Sequence, residues 1–231
     1  QSSTVKKVEP KSVPTTLNVA LIGSDARSKD ENGRSDSLLV AQYNQKTQQA
    51  KLISIMRDSY VDIPGYGMNK INAAYSYGGV DLLNQTLKEN FKFEAPYYAS
   101  ITFQDFIDCV NELFPGGVKI DAEKSLDLDG VYINKGEQVI KAISQQLKDV
   151  TSIFKLPKAV GKLLGSIQTN LPESVLLDCG MDFLKDNNKK IDTLSVPVDG
   201  SWDFNDNTPS GSVLELDLTK NQEAIKKFLN N

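Results

Sequence analysis

Three short apolar segments near the start of the chain constrain its fold more than any other feature. They span residues 17–22, 37–43 and 50–55, and short apolar runs of this kind indicate β-strands. The polar stretch 44–49 predicts a turn between the second and third segments, so these two strands should pair antiparallel. The chain therefore begins as β structure.

Strands and amphipathic helices alternate through the rest of the chain. The further predicted strands span residues 60–63, 97–102, 118–121, 191–196 and 213–218. The predicted helices span residues 71–77, 79–91, 103–113, 139–168 with a break near Pro157, 172–185 and 221–229. Residues 201–211 are expected to form a long loop.

The mixed order of these elements, without an internal repeat, predicts a single α/β domain over residues 17–231. The expected architecture is a layered α-β-α sandwich with a central mixed sheet. Residues 1–16 are polar and contain two prolines, so they are expected to form a linker.

The composition excludes several kinds of chemistry. The 231 residues include no histidine, which excludes Ser-His-Asp and Cys-His catalysis and histidine metal sites. A net charge of −4 gives no general case for nucleic-acid binding.

Cys109 and Cys179 lie in apolar helical patterns, which favours buried free thiols over a disulfide. The sequence contains no run of about 18 apolar residues, so no membrane span is predicted within it.

A group of acids and arginines follows the first predicted strand. Asp25 and Arg27 come directly after a glycine turn, and Arg34 and Asp36 follow shortly afterwards. Carboxylates suit a hard cation such as Mg²⁺, and arginine forks match phosphate oxygens. The stretch is therefore a candidate site for a divalent cation beside a phosphate, although a solvated loop with surface charges would show the same pattern.

The third predicted strand ends in a second charged pair, Arg57 and Asp58. Charged residues directly after an apolar strand are a typical placement for site residues. The strands that lead to Asp25 and to Arg57 are both candidates for the centre of the sheet, so the two charged groups should lie side by side. The alternative is a surface ion pair, which would contribute little.

Taken in order, the motifs of the chain resemble those of the LytR-CpsA-Psr family. They are D-x-R, R-S-D, R-D-S, the P-G-Y-G turn, K-I-N-A-A-Y and Y-G-G, all within residues 25–79. The resemblance continues through residues 103–121, 139–168 and 213–229. Each motif alone is weak, but their order is specific.

The resemblance implies a membrane-anchored enzyme of the bacterial cell surface, mostly of Gram-positive species. Such enzymes transfer an anionic glycopolymer, for example wall teichoic acid or capsule, from a polyprenyl-pyrophosphate carrier to peptidoglycan. The resemblance also implies a hydrophobic tunnel for the lipid and Mg²⁺ at the pyrophosphate. The expected partners are the lipid-linked glycopolymer, peptidoglycan and the outer membrane surface, the last through a single-pass anchor outside this chain.

Two alternatives remain open for the same site. One is hydrolysis of the polyprenyl pyrophosphate, with water in place of the sugar acceptor. The other is a non-enzymatic wall assembly protein that binds the lipid carrier.

The match to the family motifs also implies roles for individual residues. Asp25 and Asp36 would hold Mg²⁺, and Arg34 and Arg57 would clamp the pyrophosphate. Asp58 or Asp36 could accept the proton of the acceptor hydroxyl. Weaker candidates for orienting the phosphates are Arg27, Lys70 and Asn72.

Apolar helical faces could line the lipid tunnel. The candidates are Phe106, Val110, Leu113, Ile140, Ile143, Leu147, Ile153 and Leu163. The simpler interpretation is that each of these side chains belongs to the hydrophobic core.

The chain departs from the family pattern at one place. In the family, an arginine-rich segment follows a G-E-Q-like sequence, whereas here Gln138 is followed directly by Val139, and no arginine occurs after Arg57. Either a loop between residues 138 and 139 is not included in the sequence, as the abrupt break suggests, or it is truly deleted. In the second case the site would keep its metal-binding half and lose part of its cationic clamp.

Overall fold

The computed structural model describes residues 14–24, 35–115, 142–143, 145–146, 156–185 and 191–231, with positions 35–37, 156 and 183–185 described for the backbone only. The strands are β1 (Thr16–Ser24), β2 (Ser35–Asn44), β3 (Ala50–Ile55), β4 (Ser59–Ile63), β5 (Gly67–Lys70), β6 (Tyr97–Thr102), β7 (Gln168–Thr169), β8 (Ile191–Val196), β9 (Trp202–Thr208) and β10 (Gly211–Leu216). The helices with defined bounds are α1 (Asn72–Phe91), α2 (Phe103–Leu113), α3 (Leu156–Ser166), α4 (Glu173–Lys185) and α5 (Leu218–Asn230). The predicted strand at 118–121 and most of the predicted helical zone before residue 156 lie outside the described residues.

The main sheet is mixed, as the sequence predicted. Its strand order is β7-β6-β1-β2-β3-β8. Strands β1, β6, β3 and β8 run in one direction, and β2 runs antiparallel between β1 and β3. The predicted antiparallel pairing of β2 with β3 is therefore confirmed. The four parallel strands end at a common edge, marked by Ser24, Ile55, Thr102 and Val196, which we call the carboxyl edge.

A second, smaller sheet with the order β5-β4-β10-β9 stands beside the main one, and the sequence did not predict it. The loop expected over 201–211 is wrong, because β9 and β10 form an antiparallel hairpin there. Strand β9 has two large rings, Trp202 and Phe204, and its other residues are Asp, Asn and Thr; Asp and Asn are depleted in strands in general. This composition resembles a loop, and only the pairing with β10 makes it a strand.

Helices and the small sheet cover the main sheet on both faces. On one face, Ala20, Ile22 and Ile53 pack with residues of α1, α5 and the small sheet in the principal core. On the other face, Leu17 and Val19 pack with Leu171 and the start of α4. The predicted layered sandwich is therefore confirmed.

A kink divides α1 at the place where the sequence predicted two helices. Gly78 and Gly79 have non-helical backbone angles, and Gly79 has a φ of 64°, which favours glycine. A Cβ atom on Gly78 would lie 2.6 Å from Cβ of Leu82, so any other residue would force a shift there. The first segment of α1 thus ends at Tyr77, close to the β4–β5 hairpin.

Two further expectations concern thiols and membrane spans. Cys109 and Cys179 are both free, the former buried and the latter half-buried, and burial raises the pKa of each thiol. Within the described ranges, no helix has both the length and the apolarity that crossing a membrane requires.

Candidate active site

The carboxyl edge brings together the strand ends that carry the predicted charged residues. Gly23 pairs with Ser37 and Ser24 pairs with Ser35, so the backbone of Asp36 is the extra residue of a β-bulge at the start of β2. Bulges of this kind are common beside active sites. Asp25 directly follows Ser24 in the sequence, but Asp25, Arg27 and Arg34 lie outside the described residues. Their roles, and that of the Asp36 side chain, stay predictions.

Arg57 and Asp58 occupy the two central positions of a tight turn at this edge. The N–H of Ser59 donates to the carbonyl of Met56 at 3.0 Å, which closes the turn. The N–H of Met56 donates to Val196 of the main sheet at 2.9 Å, and the N–H of Leu214 in the small sheet donates to the Asp58 carbonyl at 2.9 Å. Both sheets therefore fix the backbone of this turn.

The Asp58 carboxylate lies between two cations. Lys70 Nζ is 2.9 Å from Asp58 Oδ1, and Arg57 Nε is 3.7 Å from Asp58 Oδ2. The side chains of Lys70, Arg57 and Asp58 are 27%, 31% and 33% exposed. We call these three residues the charged cluster. It carries a net positive charge and remains accessible, as a phosphate-binding group requires.

Lys70 reaches the cluster through strand pairing, which sequence distance alone does not reveal. It is the last residue of β5 and pairs with Tyr60 of β4, two residues after Asp58. The structure thus brings Arg57, Asp58 and Lys70 together, as their joint assignment to one site requires.

Asn72 connects the start of α1 to the same turn. Its N–H donates to the Arg57 carbonyl at 3.3 Å, and the N–H of Ile71 donates to the Ser59 carbonyl at 2.9 Å. Asn72 itself is buried. This backbone contact holds the turn in place, and the proposed phosphate-orienting role of Asn72 stays a prediction.

The predicted lipid-binding residues that the structure describes are incompletely covered. Phe106, Val110 and Leu113 of α2 and Ile143 are half-buried, and Leu163 of α3, a helix that packs against α2, is 38% exposed. The exposed apolar residues nearby in the sequence are Ile107, Leu177 and Met181. By contrast, Leu83 and Leu87 of α1 are almost fully buried in the core. Ile140, Leu147 and Ile153 lie outside the described residues, and the tunnel stays a prediction.

The predicted Mg²⁺ site can be tested only by residue type and strand position. Among the residues described, no group of three or more His, Cys, Asp or Glu side chains is placed to hold a metal. The chemistry of two carboxylates still suits Mg²⁺, and Asp36 and the residue before Asp25 lie on adjoining strand ends. The residue types therefore suit Mg²⁺, and the metal site itself stays a prediction.

Sequence reasoning did not single out two exposed tyrosines, one at the tip of the hairpin that carries Lys70 and one on α1. Tyr66 at the tip of the β4–β5 hairpin stacks on Tyr77 of α1, with ring centroids 4.8 Å apart. The signal was present in the motifs, because each tyrosine stands next to a glycine in P-G-Y-G or Y-G-G. Only the fold shows that the two rings meet.

The fold and the charged cluster define an α/β sandwich protein with a candidate phosphate site at the carboxyl edge of a mixed sheet. The LytR_cpsA_psr family model matches residues 1–138 and 133–227, and the chain belongs to that family. The two matched ranges meet at residues 133–138, where the chain departs from the family pattern. The loop expected between residues 138 and 139 stays a prediction, with true deletion as its alternative.

Curated relatives and solved structures agree with this assignment. The regulatory protein MsrR of Staphylococcus aureus (strain COL) is 34% identical over 244 residues, covering 92% of this chain and 74% of MsrR. The polyisoprenyl-teichoic acid–peptidoglycan teichoic acid transferase TagU of Bacillus cereus (strain AH820) is 27% identical over 227 residues, covering 85% of this chain and 72% of TagU. The crystal structure of TagV from B. subtilis superposes with a TM-score of 0.71 at 26% identity, covering 94% of this chain and 98% of that one.

Proposed function

We propose that the protein is a transferase that moves an anionic cell-wall glycopolymer from a polyprenyl-pyrophosphate carrier to peptidoglycan. The name of TagU, a relative of this chain, describes a transferase that joins teichoic acid to peptidoglycan. The structural observation that best supports the proposal is the charged cluster, in which Arg57 and Lys70 flank the Asp58 carboxylate beside the Asp36 bulge.

The reaction that this cluster suits is phosphoryl transfer to a sugar hydroxyl. The hydroxyl oxygen attacks the phosphorus that carries the polymer, and the bond from that phosphorus to the carrier phosphate breaks. Polyprenyl phosphate leaves, and Asp58 or Asp36 accepts the hydroxyl proton. Arg57 and Lys70 stabilise the negative charge on the phosphate oxygens. Because positioning and charge neutralisation are the main requirements, the absence of histidine is no obstacle.

The remaining predicted residues complete the proposed site. Asp25 and Asp36 would hold Mg²⁺, and Arg34 with Arg27 would add cations for the pyrophosphate. When bound, Mg²⁺ would neutralise charge on the pyrophosphate oxygens. Asn72 fixes the turn of Arg57 through its backbone.

The lipid and the cellular location follow from the same proposal. The half-exposed apolar side chains of α2 and α3 would shelter the polyprenyl chain from water. The protein would act at the outer face of the bacterial membrane, held there by an anchor outside this chain.

The decisive experiment combines purified protein, a lipid-linked wall polymer, peptidoglycan and Mg²⁺. Arg57→Ala should lower the transfer rate by about a hundredfold or more, since it removes a charge-stabilising donor from the site. Lys88→Ala is the matched control, because Lys88 lies outside the charged cluster. Its Nζ is 2.9 Å from Glu94 Oε1, in an exposed ion pair. It should change the rate by less than about twofold.

Two results would overturn the proposal. One is transfer that survives loss of both Arg34 and Arg57. The other is release of free phosphorylated polymer in place of a wall-linked product, which would indicate a hydrolase.

A further inference from the structure

Tyr66 and Tyr77 form a rigid aromatic surface that the core does not use. Their rings stack at 4.8 Å with an interplanar angle of 23°, although 56% and 45% of the two residues remain exposed. Asn69 Nδ2 donates to the Tyr77 hydroxyl at 3.0 Å, and the N–H of Tyr66 donates to the Ile63 carbonyl at 2.9 Å. Rings that are held in place before binding lose little freedom when a ligand arrives.

One residue of each group, Tyr66 and Lys70, lies in the β4–β5 hairpin, and Asn69 of the same hairpin contacts Tyr77. Asn69 precedes Lys70, whose ammonium contacts Asp58 at 2.9 Å. Tyr66 and Lys70 are four positions apart in the sequence, which at the rise of a strand corresponds to about 13 Å. A ligand of a few linked sugar rings could therefore contact the tyrosines and the charged cluster together.

The chemistry of the pair favours a sugar over a lipid. A pyranose ring has an apolar C–H face and a rim of hydroxyl groups, whereas a polyprenyl chain has no hydrogen-bonding groups. The tyrosines offer ring faces with hydroxyl groups at their edges, and the Asn69 amide lies beside them. A pyranose matches both features.

The position of the pair favours the acceptor over the donor. Both tyrosines belong to α1 and the small sheet, on the face of the main sheet that holds Ala20 and Ile22. Helix α4, with exposed Leu177 and Met181, packs on the opposite face beside Leu17 and Val19. That face therefore offers exposed apolar side chains, whereas the tyrosine side offers hydroxyl and amide groups that suit a polar glycan.

We infer that Tyr66 and Tyr77 bind a pyranose ring of the acceptor glycan strand and so direct an acceptor hydroxyl towards Asp58. The inference rests on the proposed transferase function and adds to it a subsite for the acceptor. Tyr66 and Tyr77 are binding residues in this account and take no part in the chemical step.

The test uses the whole protein and a soluble tetrasaccharide of alternating N-acetylglucosamine and N-acetylmuramic acid as acceptor. Tyr66→Ala should raise the KM for the tetrasaccharide about fivefold to tenfold, while the KM for the lipid-linked donor stays within about twofold. Tyr66→Phe keeps the ring and should behave as wild type, whereas Tyr66→Leu keeps only apolar bulk and should behave as Tyr66→Ala. Tyr66 is exposed at a hairpin tip, so these changes should leave thermal unfolding unchanged.

Phe204→Ala is the matched control. Phe204 is 72% exposed on β9, at the opposite edge of the small sheet from β5, and its removal should change neither KM. A similar rise in the KM for the tetrasaccharide in Phe204→Ala and Tyr66→Ala would overturn the assignment of the subsite to the two tyrosines.

Other outcomes separate the subsite from the proposed function. An unchanged acceptor KM in Tyr66→Ala, with active wild type, would overturn the subsite and leave the transferase intact. A raised KM for the donor in place of the acceptor would also overturn it. If wild type fails to transfer but binds the tetrasaccharide in a Tyr66-dependent manner, as measured by saturation-transfer NMR, the subsite stands and the transferase proposal is wrong.

Discussion

Two kinds of polar residue in this protein differ in what their atoms bind. The charged cluster is about a third exposed, and its side chains contact one another. Asn90 and Asn221 are buried, and they bind mainly backbone groups. Asn221 accepts from the N–H of Val198 at 2.9 Å and donates to Ser201 Oγ and the Asp217 carbonyl. Both asparagines act as internal connectors between segments of the chain.

The difference shows which polar residues are available for function. A buried amide whose bonds go to backbone groups has no capacity left for a ligand, and its removal leaves those groups unsatisfied. An exposed cluster with excess positive charge contributes little to stability but can bind an anion. Changes in the charged cluster should therefore affect activity most, and changes at the buried asparagines should affect stability most.

The largest effect is expected at the charged cluster. Asp58→Ala should lower transfer by at least about a hundredfold, since it removes the carboxylate between Arg57 and Lys70 and a candidate base. The free energy of unfolding should change by less than about 1 kcal/mol. Asp62→Ala, which removes an exposed carboxylate from the neighbouring strand, is the control and should transfer normally. Full transfer by Asp58→Ala would show that activity does not need the Asp58 carboxylate.

Asn221→Ala should cause the largest loss of stability among the variants considered. It leaves the Val198 N–H without its acceptor and Ser201 Oγ without one of its donors, while the Ser201 hydroxyl still donates to the Val198 carbonyl; the expected cost is about 2 kcal/mol in the free energy of unfolding. Urea denaturation measures this loss, and transfer per folded molecule should stay normal. Asn207→Ala, an exposed asparagine on β9, should cost less than about 0.5 kcal/mol. Equal stability of the two variants would contradict the structural role of Asn221.

Asn90→Ala should have a smaller effect of the same kind. Asn90 accepts from the Asp62 N–H at 3.1 Å and donates to the Asp62 carbonyl at 2.8 Å, which ties α1 to β4. We expect a loss of about 1.5 kcal/mol by urea denaturation. Hydrogen exchange of the Asp62 amide should also accelerate, and an unchanged exchange rate would contradict the connection.

The smallest effect is expected at the end of α5. The Lys51 ammonium donates to the carbonyls of Phe228 and Leu229 at 2.9 and 3.3 Å, which caps the last turn of that helix. Lys51→Met should lower the free energy of unfolding by about 1 kcal/mol, as measured by thermal denaturation. Lys226→Met, an exposed lysine of the same helix, should cost almost nothing, and an equal cost for both would exclude the cap.

The sequence predicted the elements whose signals are local. The limits of β3, β6, β8 and α2 coincide with the predicted ones, because each is an apolar or amphipathic run bounded by polar or turn residues. The break in α1 was also foreseen, since two helices were predicted over 71–77 and 79–91, and the structure places it at Gly78 and Gly79. Strands β5 and β9 were not foreseen, since their residues are mostly polar and their strand conformation depends on neighbouring chain segments.

The candidate site shows the same division. Arg57 and Asp58 were predicted because a charged pair directly follows an apolar strand. Lys70 entered only as a weaker candidate through the family resemblance, and it meets Asp58 because β5 pairs with β4. The contact between Tyr66 and Tyr77 could not be predicted, since it depends on where the hairpin tip lies against the kinked helix.

The sequence by itself determined the α/β class, the principal strands and helices, and the family. These depend on local hydrophobic periodicity and on the order of short motifs. The tertiary structure decided which charges share a cluster, which tyrosines form a surface and which polar residues serve the backbone. Those features depend on the packing of two sheets against each other, and such long-range contacts leave no periodic signal in the chain.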